Sequence, residues 1–185
     1  MGDLSRLPHA LDRDALTCQA VIESPRGSRT KFDYDPAIRA FRVKTHLPEG
    51  LSIPLDFGFV PSTYAEDGDP LDVMVLSEEP LPMGSVLIAR LVGVIEAEET
   101  EKGDRHRNDR VLAAAAVSRL YAKLQAVGDL PSDFIDNLVS FWTAKAKLEG
   151  KAFEVIGVRE AARAAELIKK TAKAAKTARA RSGSS

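Results

Sequence analysis

Hydrophobic positions in the first half of the chain come in short runs broken by turn-forming residues, a pattern that predicts strands. Residues 18–23 form a β-prone run that stops at the turn cluster Ser24-Pro25-Arg26-Gly27-Ser28. Residues 30–34 and 40–45 predict two strands around Asp35-Pro36, and residues 57–60 a short one stopped by Pro61. The apolar run 72–76 lies between turn residues, residues 85–95 form a longer β-prone run ending near Glu96, and 111–117 reads as a further strand.

The period then changes. Leu130-Pro131-Ser132-Asp133 offers a helix start, and Phe134, Leu138, Phe141, Trp142 and Leu148 recur at helical spacing until Gly150. Residues 152–158 predict a last strand. Residues 160–181 are rich in Ala, Lys and Arg and predict a long C-terminal helix, with 182–185 fraying. Many short strands followed by helices predict an α+β fold: a small β-barrel with helices packed alongside. No internal repeat or linker splits the 185 residues, an ordinary length for one domain.

Composition narrows the partners. Lys and Arg number 26 against 27 Asp and Glu, a formal charge of −1, so nothing pulls the whole chain toward nucleic acid or an acidic membrane. Cys18 is the only cysteine, which excludes an internal disulfide and a thiolate metal cluster. Residues 1–14 mix charges with Leu and Pro and read as neither signal nor anchor, and no apolar run reaches bilayer length. A cytoplasmic protein is expected.

The densest chemistry is Asp67-Gly68-Asp69-Pro70-Leu71-Asp72, with Glu66 beside it. Carboxylates this close repel one another unless a hard cation or full solvation relieves them. Gly68 allows a tight turn, and Pro70 stiffens the entry into the apolar run where Asp72 sits. A solvated acidic turn is the competing reading, because the same residues favour turns. An EF-hand is excluded, since no Glu closes the loop at the required spacing.

In context the loop resembles the signature of family I soluble inorganic pyrophosphatases, Asp-Gly-Asp-Pro-x-Asp-Val, which residues 67–73 match at every fixed position. Val21-Ile22-Glu23-Ser24-Pro25, Thr30-Lys31-Phe32-Asp33 and Ile53-Pro54-Leu55-Asp56-Phe57-Gly58-Phe59 resemble the family's entry strand, its Lys-Tyr-Glu segment and its Tyr-Pro-x-Asn-Tyr-Gly-Tyr. Gly84-Ser85-Val86, Val92-Gly93-Val94 and Leu148-Glu149-Gly150-Lys151 continue the similarity, which runs from about residue 17 to 165.

The resemblance implies a closed five-stranded OB-like barrel. It divides the chain into an N-terminal extension (1–16), a pyrophosphatase-like domain (17–168) and a basic tail (169–185). It implies hydrolysis of pyrophosphate to two phosphates with several Mg²⁺ ions, Mn²⁺ or another divalent ion being an alternative. By position, Asp67, Asp72 and Asp109 hold the central metals, and Asp69 orients or deprotonates the attacking water. Glu99 stands for a further metal ligand, with Glu98 and Glu101 as alternatives for that place. Glu23 and Asp33 support outer metals, and Lys31, Lys44 and Lys145 bind phosphate. A homo-oligomer, by resemblance a hexamer, is implied.

The phosphate-binding half departs from the pattern. Lys44 replaces the usual Arg, Phe57 and Ile53 replace tyrosines, Val111 stands for the Lys of an Asp-x-Lys, and Lys145-Ala146 lacks a phenol. Each lost charged hydrogen bond costs about 1.5–3 kcal/mol. Arg105, His106, Arg107 and Arg110 in the longer segment 96–110 can supply replacement cations. A catalytically weak or inactive metal- and anion-binding relative with a regulatory or assembly role is therefore the alternative. His9, His46 and His106 are scattered without metal-ligand spacing, and an OB-like nucleic-acid binder would need a basic aromatic groove that the acidic loop contradicts.

Overall fold

The computed structural model describes residues 2–182. Nine strands and two α-helices follow in the order β1 (Thr17–Ser24), β2 (Thr30–Asp35), β3 (Ala40–His46), β4 (Asp56–Phe59), β5 (Asp72–Leu76), β6 (Val86–Glu101), β7 (Asp104–Arg107), β8 (Arg110–Ala115), α1 (Phe134–Leu148), β9 (Ala152–Glu160) and α2 (Ala161–Ser182). β1, β4, β5, β8 and β6 pair in that order, and β6 pairs back onto β1, closing a ring of five strands. β5 and β8 run parallel, with Asp72 opposite Arg110. The other ring pairings are antiparallel. β9 and β7 extend β6 beyond the ring, and β2–β3 form a separate hairpin.

Strand alternation sorts the apolar side chains onto two faces. Val73, Val75, Val111 and Ala113 pack with Ala161, Ala164 and Ile168 of α2. Met74, Leu76, Leu112 and Ala114 pack with Leu138, Phe141 and Trp142 of α1. Two glycines permit close backbone approach. A Cβ on Gly58 would lie 1.9 Å from the Val21 carbonyl oxygen, and one on Gly93 would lie 2.5 Å from that of Arg159.

Segment 96–110, expected as a long polar loop after a strand ending near Glu96, is a hairpin. β6 runs on to Glu101, and β7 returns through Lys102 and Gly103, both at positive φ as a tight hairpin turn requires. Charge hides this strand from a hydrophobicity pattern: Glu98 faces Arg107 and Glu99 faces His106 across the ladder, and Arg105 also pairs with Glu98. β8 ends at Ala115, short of the predicted residue 117, and Val117 is 90% exposed.

The terminal segments are tied down. In segment 2–16, the Leu4 N–H donates to the Tyr34 hydroxyl at 3.0 Å, and the Gln19 N–H donates to the His9 carbonyl at 2.7 Å. α2 crosses residue 168 unbroken, and Thr171, Ala172 and Ala175 are buried, so the start of the basic segment is packed rather than solvated. The expected fraying of residues 183–185 lies outside the described residues. No described helix is long and apolar enough to cross a membrane.

Candidate active site

The acidic loop leads into β5, whose first residue is Asp72. Gly68 adopts a positive φ of 94°, the Asp67 carboxylate accepts the Asp69 N–H at 3.1 Å, and the Ala65 N–H donates to the Asp69 carbonyl at 2.8 Å. This turn leaves Asp67 and Asp69 exposed while Asp72 points inward. Burial pushes Asp72 up to about 6, against the pull of Arg110 and Lys31 and with help from Asp67 and Asp33. Desolvation also raises Asp67.

Glu23 lies near the end of β1, accepts the Tyr34 N–H at 2.7 Å, and is pushed up to about 8 by burial. Lys31 on β2 holds the Asp33 carboxylate at 2.5 Å, and Lys44 on β3 holds its other oxygen at 2.7 Å. Burial alone would raise Asp33, but Lys31 and Lys44 hold it below the ordinary carboxylate range. Lys145 is 8% exposed on α1, its ammonium 2.7 Å from both Glu149 carboxylate oxygens. Glu99 is buried and accepts from Lys151 at 2.9 Å.

Asp109 and Arg110 make different contacts. Asp109, expected among the central ligands, accepts the Ala97 N–H at 3.0 Å and the Arg107 guanidinium at 2.7 Å. It joins a network in which Arg107, Arg159 and Arg163 surround Glu96. Its neighbour Arg110, the first residue of β8, looks toward Asp72, Nε to Oδ2 at 3.7 Å. Arg110 is thus a buried cation beside Asp72, while Val111 sits in the core beneath α2.

Arg110 is 4% exposed and lies between the rings of Trp142 and Phe153, 4.2 Å and 4.6 Å from their centres. Among the described residues it carries the one buried side-chain nitrogen, Nε, without a hydrogen-bond partner. Burial lowers its pKa, against the pull of Asp72, Glu99 and Asp67. Trp142 and Phe153 escaped sequence reasoning because helical periodicity and β-propensity both assign them to the core. Their contact with Arg110 crosses three elements.

With this arrangement described, the relatives decide the family. The sequence model of the inorganic pyrophosphatase family matches residues 20–176. An inorganic pyrophosphatase of Thermus thermophilus is 37% identical over 172 residues, covering 91% of this chain and 95% of that protein. The chain belongs to the inorganic pyrophosphatase family. A Synechocystis inorganic pyrophosphatase is 33% identical, covering 85% of this chain and 90% of that one. The crystal structure of the Thermus thermophilus inorganic pyrophosphatase superimposes with a TM-score of 0.84 at 35% identity, covering 95% and 99% of the two chains. One from Neisseria gonorrhoeae gives 0.85 at 27% identity, covering 94% and 99%.

Pyrophosphatases of this family generally use divalent metal, and the side chains here suit one. Asp67, Asp69, Asp72 and Glu23 offer oxygen donors, and burial raises three of them, as expected for carboxylates short of positive charge. Among the described residues no three His, Cys, Asp or Glu side chains converge as a closed cage. An ion that keeps much of its water shell and takes one or two carboxylates directly needs no such cage.

Proposed function

We propose that this chain hydrolyses inorganic pyrophosphate to two phosphates with Mg²⁺, or a similar divalent ion such as Mn²⁺, held by Asp67 and Asp72 with Glu23 and Glu99 nearby. The observation that carries this reading is the pairing of inward-facing Asp72 with Arg110 at the end of the signature loop. It brings a metal-binding carboxylate and a phosphate-binding cation to one point. Asp109 belongs to the same set, because Ala97 and Arg107 both engage its Oδ1 and leave the second carboxylate oxygen for metal.

Bound metal supplies charge neutralisation at both phosphoryl groups and acidifies water. The protein's own groups do the rest. Exposed Asp69, one turn from Asp72, takes the proton from the attacking water, where reach precedes pKa. Lys31 and Lys44 are ion-paired with Asp33 and Lys145 with Glu149, and each ammonium has three donors, so it can add a phosphate oxygen or exchange its carboxylate for one. Arg110 has a free Nε and is the cation best prepared to receive an oxyanion.

The inactive reading rests on the lost phenols and on the cation lost at Val111; Arg110 beside Asp72 answers the second of these. Phosphate release from pyrophosphate with Mg²⁺ is the test: release that disappears in Asp69→Asn is expected, and equal release from both proteins overturns the assignment of Asp69. A cytoplasmic homo-oligomer, a hexamer by resemblance, completes the proposal, and sedimentation velocity decides the oligomer.

A further inference from the structure

The Arg110 guanidinium is held by aromatic rings more than by hydrogen bonds. Trp142 comes from α1 and Phe153 from β9, and their rings lie 4.2 Å and 4.6 Å from the guanidinium. The aromatic column continues beyond this pair: Phe57 packs 5.0 Å from Trp142, and the Lys31 ammonium lies 5.1 Å over Phe57. Phe153 stands opposite Glu99 in the β6–β9 ladder, so its ring faces the site.

Polar restraint on Arg110 is slight by comparison. Nη1 donates to the Asn108 carbonyl at 3.2 Å, while buried Nε has no partner and stands 3.7 Å from Asp72. A buried guanidinium is normally fixed by a carboxylate fork, which spends its donors. Stacking fixes the plane and leaves the N–H edge unspent.

We infer that Trp142 and Phe153 are positioning residues that clamp the Arg110 guanidinium flat and present its N–H edge to a phosphoryl oxygen beside Asp72. The clamp meets the rotamer-ordering cost before the anion arrives, so binding gains from preorganisation. At Phe57, where the family pattern has a phenol, this chain offers a ring face that steers the Lys31 cation. Lysine has no plane to clamp, so the device requires arginine at position 110.

This inference rests on the pyrophosphatase reading for turnover but not for anion binding, and both are measured. Inorganic phosphate affinity, by calorimetry, and kcat/KM for magnesium pyrophosphate are compared in wild type, Phe153→Leu, Phe153→Tyr, Arg110→Met and the Phe153→Leu/Arg110→Met double variant. Phe153→Leu is expected to weaken phosphate binding and lower kcat/KM by about tenfold or more. Phe153→Tyr keeps the ring face and is expected to stay within about twofold of wild type. In the Arg110→Met background the Leu change is expected to cost less than about twofold. Equal loss in both backgrounds, or a Tyr variant as weak as Leu, overturns the clamp. Absent turnover in folded wild type overturns the functional reading alone, and the phosphate cycle still decides the clamp. If Phe153→Leu fails to fold by circular dichroism, Phe153→Met carries the same comparison.

Discussion

Asp56 is 0% exposed and ties three separated segments together, so its replacement gives the sharpest stability prediction. Oδ1 accepts the Arg26 N–H at 2.8 Å and the Leu81 N–H at 3.1 Å, and Oδ2 accepts the Ser77 hydroxyl. Asp56→Ala strands two backbone donors, each costing about 1–3 kcal/mol. The Ser77 hydroxyl loses less, because the Glu79 carbonyl lies 2.8 Å away as a second acceptor. Relief from burying a carboxylate returns part of the sum, leaving a loss of about 2–5 kcal/mol. Out of a total of about 5–15 kcal/mol that is large, and it corresponds to a fall in Tm of about 5–15 °C for a chain this long.

Asp56→Asn separates the causes. Both backbone donors use Oδ1, which the amide retains, and the Ser77 oxygen can accept from the new NH₂. The Asn variant is therefore expected to lose only about 1 kcal/mol. Urea unfolding at fixed protein concentration measures both. An Asn loss as large as the Ala loss, or an Ala loss below about 1 kcal/mol, refutes the hydrogen-bond account. The resembling family segment carries Asn at this place, in line with a cheap exchange.

Gly58→Ala drives a Cβ to 1.9 Å from the Val21 carbonyl oxygen, so β1 and β4 must separate; a loss above about 3 kcal/mol or insoluble expression is expected, and a normal urea midpoint refutes the contact. Burial pushes the Cys18 thiol up to about 12, so a disulfide reagent at pH 8 is expected to leave the native protein unlabelled and to label it in urea; rapid native labelling refutes this. Glu23 rises from 4.5 to about 8 on folding, so the folded state holds a proton that the unfolded state releases across that window. In EDTA, stability is thus expected to fall as pH rises from about 4.5 to 8, and Glu23→Gln to flatten that slope; an unchanged slope refutes the assignment. Added Mg²⁺ is expected to reverse the decline by neutralising the ionised carboxylate, which a thermal melt series with and without metal checks.

Local signals on the chain were strong enough to place much of the fold. The run 72–76 is β5 to the residue, because a turn and an apolar stretch mark both ends. α1 begins directly after the predicted Ser-Asp start and stops before Gly150, whose positive φ of 74° no helix continues. The signature at residues 67–73 carried the family, since its spacing alone places the carboxylates at one strand entrance. Tertiary structure decided what lies across strands. Segment 96–110 became a hairpin because its Glu, His and Arg residues pair with a neighbour, which hydrophobic alternation does not register. Asp109 and Arg110 differ because Asp109 turns to Ala97 and Arg107 just before β8, while Arg110 opens β8 opposite Asp72. Trp142 recurs at helical spacing and Phe153 lies in the last predicted strand; both are buried, and their rings also meet Arg110. Composition fixes that a side chain is apolar; only packing fixes which charge its face meets.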